Sequence, residues 1–408
     1  MITVDEALAE VLGRVTLLPA EMADLMETRH RILRQVIQAD RDFPPFNRAA
    51  MDGFAVRSLD TSAPNATLTI VGEVRAGMWP DTALDAGQAI RIMTGAPVPE
   101  GADAVVQVER TKSKDDTVLI EVVVASGLNI VRQGAEALAG AELLPAGVRI
   151  QASHLAVLAS VGEVQPAVSV RPRVTVLVTG DEVIAPGSRP TAAQIRNANG
   201  PALMALIEEA GGIASDATVV SDDPAATRSA IQAAFDSGCD VVVLSGGVSA
   251  GDFDFVEGAL SDLGVTLHVT SVRVKPGAPF VFGTRGQTLI FGLPGNPVSA
   301  QVTFELFVRP ALLKMQGAAA VARPLLEATL DGTLVNRSGR RNYLPVCAVR
   351  KAGLLVAKPI ATQGSGDVVA HALANALAIL EPDQTQALAG DLLTLHPLSS
   401  FLEAPLHA

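Results

Sequence analysis

The sequence predicts a multidomain α/β protein built around a mainly parallel sheet, and three observations lead to this fold class. The chain has 408 residues, enough for two to four domains at about 150 residues per domain. Between residues 174 and 316, apolar strands of the buried type alternate with helical patterns, as in doubly wound parallel sheets. On either side of this segment, short β-prone runs alternate with glycine and proline turns. We therefore expect a three-layer α/β domain flanked by mostly β domains.

The first forty residues are predicted to be helical and amphipathic. Apolar residues recur every three or four positions, at Val4, Leu8, Val11 and Leu12 and again at Leu25, Ile32, Leu33 and Val36. Such a stripe is more typical of a helix packed on a neighbour than of a catalytic element.

Residues 54–132 are predicted to form a small, mostly β domain. Apolar and β-branched residues cluster in short runs between turns, at Leu68 to Val71, Ala104 to Val108 and Val118 to Val124. Residues 141–170 have a mixed pattern that ends at the linker-like Arg171-Pro172-Arg173.

The α/β segment begins with a predicted strand from Val174 to Thr179. Further strands are predicted at Val219-Val220 and Val241 to Leu244, and helices at 203–210, from Pro224 to Gly238, from Phe255 to Leu263 and from Val298 to Met315. Asp223 precedes Pro224 as an expected N-cap. Because ligands of such sheets bind at the carboxyl ends of the strands, the functional loops should be 180–182, 221–223, 245–254 and 292–297.

Beyond Gly317 the chain returns to short β-like runs, which predict a last unit of about ninety residues. Its charge is segregated. Residues 332–366 contain six Lys or Arg and no acid, whereas residues 367–408 contain five acids and no Lys or Arg.

Composition excludes several function classes. With 31 basic and 43 acidic residues the net charge is −12, and Phe, Trp and Tyr total 14, so a nucleic-acid binder is not expected. Two cysteines cannot build a disulfide framework or a four-thiolate zinc site. The acidic N-terminus does not resemble a signal peptide, and no apolar run reaches the ~18 residues of a membrane span. We expect a cytoplasmic protein without a membrane anchor.

The loop Ser245 to Asp254 is the first segment with residues suited to binding chemistry. Its glycines allow a close backbone approach, its amides can bind an anion, and its two aspartates can hold a magnesium ion that the anion shares. A glycine-rich turn with Asp254 as a helix cap is an equally good explanation of the spacing.

A second strand, turn and helix start spans Ile290 to Ser299, with Pro297 suited to the first helical turn. Asp222-Asp223 fits a metal or ribose site or a simple helix cap, and Lys275 fits a phosphate contact or a solvated strand end. Each of these patterns has a purely structural explanation of similar weight. No Ser/His/Asp or Cys/His set stands out, which favours electrostatic stabilisation of phosphate-like groups over a covalent nucleophile.

Read together, these segments resemble the MoeA and gephyrin E-domain family, the molybdopterin molybdenumtransferases. The resemblance rests on motifs in family order across most of the chain: 44–55 (PPFNRAAMDGFA), 91–106 (RIMTGAPVPEGADAVV), 179–182 (TGDE), 245–254 (SGGVSAGDFD), 275–277 (KPG) and 292–299 (GLPGNPVS). Each motif alone is weak, but their combination is specific.

The resemblance implies a homodimer of four-domain subunits. The domains would be an elongated N-terminal domain (1–45 and 141–172), an inserted mostly β domain (46–140), a MogA-like α/β molybdopterin-binding domain (173–320) and a C-terminal β domain (321–408). It further implies magnesium-dependent insertion of molybdate into adenylylated molybdopterin with release of AMP, at a site shared between subunits. A molybdopterin adenylyltransferase would be a further partner.

Roles carried over by position are implied by the resemblance alone. Catalytic positions would be Asp52 and Thr94 from the partner subunit and Glu182, Lys275, Pro294 and Pro297. Ligand-binding positions would be Gly246, Gly247, Ser249, Gly251, Asn296 and Ser365, with Arg340 or Arg341. The metal-proximal acids would be Asp222, Asp252 and Asp254.

The chain departs from the usual family pattern at several site loops. Asn47, Arg48 and Ala49 replace Asp-Asn-Ser, Glu136 follows Gly134-Ala135 in place of Gly-Glu-Asp, Asn197 replaces the aspartate of Asp-Ser-Asn, and Ala278 replaces the second lysine of Lys-Pro-Gly-Lys-Pro. Two alternatives to the transferase follow. One is a diverged paralogue that binds molybdopterin or the finished cofactor as a carrier or scaffold. The other is a nucleotide-handling hydrolase that shares only the α/β domain.

Overall fold

The computed structural model describes residues 1–247 and 256–398, and the chain divides into two compact units. The large unit comprises residues 1–34, 147–151 and everything from 165 onward, and the small unit comprises 35–146 and 152–164. The division into four domains at residues 45, 140, 172 and 320 stays a prediction.

The helices are, in chain order, α1 (Val4–Arg14), α2 (Ala152–Ser160), α3 (Asn199–Glu209), α4 (Pro224–Asp236), α5 (Val256–Asp262), α6 (Pro297–Thr303), α7 (Arg309–Met315) and α8 (Val368–Ala372). A π turn (Phe304–Val308) joins α6 to α7, and short 3₁₀ turns lie at Leu25–Thr28, Ser58–Thr61 and Val108–Arg110.

The strands are, in chain order, β1 (Ala20–Met22), β2 (Ile37–Gln38), β3 (Arg48–Ala49), β4 (Gly53–Val56), β5 (Ala66–Val74), β6 (Gln88–Ile92), β7 (Ala104–Gln107), β8 (Thr111–Lys114), β9 (Thr117–Ile120), β10 (Ile130–Val131), β11 (Glu142–Leu144), β12 (Ala167–Ser169), β13 (Arg173–Thr179), β14 (Val183–Ile184), β15 (Ile195–Arg196), β16 (Ile213–Ala214), β17 (Thr218–Val220), β18 (Val241–Ser245), β19 (Thr266–Val269), β20 (Val274–Lys275), β21 (Val281–Arg285), β22 (Thr288–Leu293), β23 (Leu326–Leu330), β24 (Leu334–Val335), β25 (Arg341–Lys351), β26 (Leu354–Pro359), β27 (Ala376–Leu380), β28 (Gln386–Ala387) and β29 (Leu392–Pro397).

The N-terminal prediction is half right. Helix α1 begins at a capping box, in which the Thr3 hydroxyl accepts from the Glu6 amide at 3.2 Å and the Thr3 amide donates to the Glu6 carboxylate at 2.8 Å. The predicted continuation through residues 25–36 is wrong. Ile32 and Leu33 are both buried and lie in extended bridges to Arg149 and Val168, so their apolar spacing serves two faces of an extended chain and not one helix face.

The centre of the large unit is a three-layer α/β sandwich, as predicted. Its seven-stranded sheet has the order β16-β13-β18-β22-β21-β19, with β17 also beside β13. Pairings among β13, β16, β17, β18 and β22 are parallel, and β21 and β19 add an antiparallel edge. One face packs against α1, α3, α6 and α7, and the other packs against α4 and α5.

Two helix predictions had different outcomes. Asp223 caps α4 as predicted, since its side chain accepts from the Ala225 amide and Pro224 opens the helix. The single helix expected from Val298 to Met315 is interrupted by the π turn. Pro310 lacks the amide that a regular α-helix would need at that position, and a π turn is a usual adjustment to such a conflict.

The C-terminal part of the large unit is a closed five-stranded β-barrel. Strand β25 pairs with β26 and β27, and β23 and β29 complete the ring in the order β25-β26-β23-β29-β27. The short β20 joins this barrel, pairing parallel to β25 with Val274 opposite Arg341 and Lys275 opposite Asn342. Lys275 therefore sits on the hydrogen-bonded edge between the α/β layer and the barrel.

The small unit contains a six-stranded sheet of order β7-β4-β6-β5-β9-β8, mostly antiparallel, which confirms a mostly β insertion. Apolar clusters on both faces stabilise it. Across the described residues of both units, every helix is too short or too polar to cross a membrane.

Candidate active site

A cleft of about 1070 Å³ opens in the large unit at the carboxyl ends of the parallel strands. The loops after β13, β17, β18 and β22 form one wall, and β20 with the entrance of the barrel forms the other. This is the location that strand and helix alternation predicts for a ligand site.

Ten of the predicted site residues line this cleft: Glu182, Asp222, Gly246, Gly247, Lys275, Pro294, Asn296, Pro297, Arg340 and Ser365. The structure therefore brings together residues spread over 184 positions of the chain (182 to 365, inclusive). Four predicted residues, Ser249, Gly251, Asp252 and Asp254, lie outside the described part of the chain.

The turn after β18 requires glycine. Gly246 has φ +99° and Gly247 has φ +65°. A Cβ at Gly246 would stand 2.6 Å from the Thr179 hydroxyl and 2.8 Å from the Thr179 carbonyl oxygen, closer than nonbonded atoms tolerate. The Gly246 amide itself donates to the Leu293 carbonyl at 3.1 Å. The glycines therefore let the ends of β13, β18 and β22 meet at the floor of the cleft.

Asn199, at the start of α3, ties two cleft loops together. Its amide group donates to the Ser245 hydroxyl at 2.7 Å and to the Gly295 carbonyl at 2.8 Å. Both bonds are shielded from water, so they fix the turn that carries Pro294 and Asn296 against the end of β18.

The acidic side of the cleft carries Glu182 and Asp222. Asp222 and Asp181 bond each other's backbones, since the Asp222 amide donates to the Asp181 carboxylate at 3.1 Å and the Asp181 amide to the Asp222 carboxylate at 3.4 Å. Residues 1–247 and 256–398 contain no group of three or more His, Cys, Asp or Glu side chains arranged to hold a metal ion. Of the predicted metal-proximal acids, only Asp222 is among these residues.

Positive and negative side chains on the cleft are equal in number. Lys275, Arg196 and Arg340 face Glu182, Asp222 and Asp367. Asp367 is held within its own loop, because its carboxylate accepts from the backbone amides of Gln363 and Ala370, which lower its pKa. The cleft thus combines anion-binding and cation-binding groups in one space.

The barrel loop with Ser365 is bonded directly to the α/β turn. The Asn296 amide donates to the Ser365 hydroxyl at 2.9 Å, and the Val298 amide donates to the Ser365 carbonyl at 3.0 Å. These bonds place Ser365 beside the Pro294 to Pro297 turn.

Sequence reasoning missed three polar residues of the cleft. Among the described residues, four side-chain polar atoms are buried without a hydrogen-bond partner, and three of them belong to cleft residues: Thr179 Oγ1, Asn199 Oδ1 and His371 Nδ1. Unsatisfied buried polar atoms are rare and concentrate where a ligand binds. Thr179 and Asn199 lie in or beside predicted motifs, whereas nothing in the sequence around His371 marks it.

Asp52 and Thr94 form a pair in the small unit. The Thr94 amide and hydroxyl both donate to the Asp52 carboxylate at 2.7 Å. These bonds lower the pKa of Asp52, so an exposed carboxylate is kept ionised and oriented.

Arg341 does not line the cleft, unlike Arg340. Its guanidinium forms a bidentate pair with Asp5 at 2.9 and 3.0 Å and a third bond to Glu381 at 3.0 Å. Hydrogen bonding to Asp5 and then Glu381 raises its pKa. Arg341 instead borders a second cavity of about 530 Å³ near α1, so of the two predicted arginines only Arg340 reaches the cleft.

Most positions that depart from the family pattern have local partners. Arg48 pairs with Glu136 at 3.1 Å, and Asn47 accepts from the Gln133 amide at 2.9 Å. Asn197 is buried and accepts from the Gly200 amide at 2.8 Å. Ala278 is buried and lines the cleft with no charge to offer.

Comparisons with known proteins agree along the chain. Residues 2–162 match the family model for the MoeA N-terminal region (domains I and II), residues 175–314 match a probable molybdopterin binding domain, and residues 327–398 match the MoeA C-terminal region (domain IV). Curated relatives include a molybdopterin molybdenumtransferase from Nostoc sp., 35% identical over 90% of this chain and 86% of its own. One from Staphylococcus epidermidis is 33% identical over 93% and 91%.

Solved structures lead to the same group. A molybdopterin biosynthesis MoeA protein from Pyrococcus horikoshii is 30% identical with a TM-score of 0.79, covering 97% of this chain and 99% of that one. A second structure of this protein has 28% identity and a TM-score of 0.83, covering 98% and 100%. With matched segments over nearly its whole length and a cleft where the molybdopterin-binding segment ends its strands, the chain belongs to the MoeA family, whose curated relatives are molybdopterin molybdenumtransferases.

Proposed function

We propose that this chain is a cytoplasmic transferase of molybdenum cofactor biosynthesis, which inserts molybdate into adenylylated molybdopterin and releases AMP with the help of magnesium. The observation that carries the proposal is the cleft itself, where Lys275 and Arg340 stand with Glu182 and Asp222 at the strand ends. Two free cysteines fit a reducing compartment.

The residue chemistry suits two anionic reactants. Lys275 is an exposed ammonium at the junction of the two walls, and Arg340 brings a planar guanidinium from the barrel entrance. An ammonium and a guanidinium bind phosphate and oxyanion oxygens through charge-assisted hydrogen bonds. We assign them to the phosphates of the pterin nucleotide and to molybdate.

The carboxylates suit a hard cation. Glu182 and Asp222 offer oxygen ligands of the type that magnesium prefers, and Asp222 is oriented by its bonds with Asp181. Bound magnesium would neutralise charge that develops when the phosphate anhydride is cleaved. Asp252 and Asp254 would add to this set by position in the motif.

We further propose a homodimer in which Asp52 and Thr94 of one subunit serve the cleft of the other. The lowered pKa of Asp52 supports a role for an ionised, oriented carboxylate. A molybdopterin adenylyltransferase would be the enzyme that supplies the substrate.

The direct test is turnover by the purified protein with magnesium, molybdate and adenylylated molybdopterin. We expect AMP and active cofactor to appear together, and an Asp52→Asn variant of equal melting temperature to release far less AMP. If the wild-type protein forms neither product under these conditions, the proposed function is wrong.

The second candidate is a carrier or scaffold for molybdopterin or the finished cofactor. Ala278 favours it, because this buried cleft residue has no charge where the family usually has lysine. Tight binding of the finished cofactor without any turnover would select this function over the transferase.

A further inference from the structure

His371 is a buried histidine on the wall of the cleft without a described bonding partner. It lies in α8, a five-residue helix that follows the Ser365 loop, and only 8% of the residue is exposed. Its Nδ1 is fully buried and unpaired. The ring is therefore a polar group inside the protein whose hydrogen-bonding capacity is unused by the described residues.

The surroundings keep the ring neutral. Burial lowers the pKa of His371, because an imidazolium would lose its hydration. A protonated ring would also bury an N–H at Nδ1 with nothing to accept it, which is more costly than an unpaired lone pair. The neutral tautomer with hydrogen on Nε2 avoids this penalty and leaves Nε2–H as the donor that a ligand can reach.

The same end of the cleft offers other donors. Ser365 precedes α8 and is bonded to Asn296, while Arg340 lines the cleft from the barrel. Asp367, the nearby carboxylate, is occupied by the amides of Gln363 and Ala370. A hydroxyl, a guanidinium and a neutral imidazole suit an oxygen-rich anion better than they suit a metal or an apolar ring.

We propose that His371 donates a hydrogen bond from Nε2 to an oxygen of a tetrahedral oxyanion bound at this end of the cleft, which in the proposed reaction is molybdate. The inference deepens the proposed function and rests on it. It adds a ligand-contacting residue that no motif of the chain predicts. A neutral donor binds a dianion without raising the charge of a cleft whose cations and acids already balance.

The test compares two variants of nearly equal size and flexibility. His371→Gln keeps an N–H donor at about the distance of Nε2, whereas His371→Met fills the same space without one. Binding of molybdate alone to the apo protein is measured by calorimetry, with molybdopterin binding and melting temperature measured in parallel. We expect His371→Met to weaken molybdate binding about tenfold, the loss of one hydrogen bond to a charged group, and His371→Gln to stay within about threefold.

Molybdopterin affinity and melting temperature should stay the same in both variants. Equal molybdate affinity in wild type and His371→Met would overturn the inference while leaving the transferase proposal intact. Absence of molybdate binding by the wild-type protein would overturn both.

The wild-type protein offers a second measurement that does not depend on a variant folding. In nitrogen NMR of labelled histidines, molybdate should shift the Nε2 resonance of one neutral imidazole, and that resonance should be missing in His371→Gln. A titration that moves no such signal contradicts the inference.

Discussion

At the scale of single residues, the balance of charge in the cleft gives individual side chains a large influence. Lys275, Arg196 and Arg340 are matched by three carboxylates, so one additional cation changes the net charge of the site. Ala278 is the natural position for such a change, because it is buried on the wall next to the Lys275 strand.

Ala278→Lys should increase molybdate affinity. One new charge-assisted bond is typically equivalent to about tenfold in affinity. Equilibrium binding of molybdate measures it, and Ala278→Met controls for side-chain length without charge. If the Met variant gains as much as the Lys variant, charge is not the reason.

The Asp52 and Thr94 pair predicts a pH effect. Thr94 lowers the pKa of Asp52 through two hydrogen bonds. Thr94→Val removes the hydroxyl, so the pKa of Asp52 should rise toward its ordinary value and the acidic limb of the activity profile should move to higher pH. Thr94→Ser keeps the hydroxyl and should retain the wild-type limb. An unshifted limb in Thr94→Val would show that ionisation of Asp52 does not limit the reaction.

Residues with chemical groups in recognisable motifs could be predicted from the sequence, and residues defined only by tertiary burial could not. Lys275, Asn296 and Ser365 come from motifs and meet in one cleft. His371 becomes notable only because the barrel folds α8 onto α6 and strips its ring of water, which leaves no trace in the neighbouring letters.

At the scale of elements, periodicity predicted the strands well and the long apolar stripes less well. The fully buried β18 is a run of apolar residues bounded by turns, a pattern with one solution in a parallel sheet. Residues 25–36 and 297–315 have helical spacing too, but burial on two faces and Pro310 change the outcome. Local spacing cannot reveal which faces tertiary contacts will cover.

Asn199 shows how one element positions two others. In Asn199→Ala, the Ser245 hydroxyl and the Gly295 carbonyl lose a buried donor, and we expect a loss of about 1–3 kcal/mol in unfolding free energy. Urea denaturation measures the change. Asn199→Asp keeps the size but replaces the donor with an acceptor, and should be at least as unstable. Wild-type stability in both variants would mean that the bridge is not needed for folding.

At the scale of the whole molecule, a buried ionic cluster joins the α/β layer to the barrel within the large unit. Glu305, in the π turn, pairs with Arg309 at 3.7 Å, with Arg323, and with His396 of β29 at 3.4 Å. Burial tends to raise the pKa of Glu305, but hydrogen bonds from His396 and Arg323 outweigh it and the pKa is lowered. The π turn is thus where the interrupted helix presents an acid to three partners.

This cluster makes stability dependent on acid. Because the pKa of Glu305 is lower in the folded state, its stabilisation is fully present above its ordinary value of 4.5 and is lost as pH falls through the lowered value. Melting temperature should therefore drop below about pH 4.5 more steeply in wild type than in Glu305→Gln. At neutral pH, Glu305→Ala should cost about 3–5 kcal/mol, because its arginine partners lose their counter-charge. Parallel melting curves for wild type and Glu305→Gln across this pH range would contradict the assignment.

The parallel ladder between β20 and β25 has a consequence for how this chain can change during evolution. Lys275 faces the cleft in register with Asn342 of the barrel, and a slip of one residue in a β-ladder turns every side chain to the opposite face. Insertions and deletions should therefore be tolerated in the hairpin between β25 and β26 and selected against at the first residues of β25. The barrel acts as a ruler for the catalytic lysine, so a lineage that lost the barrel would also have to reinvent the position of that lysine.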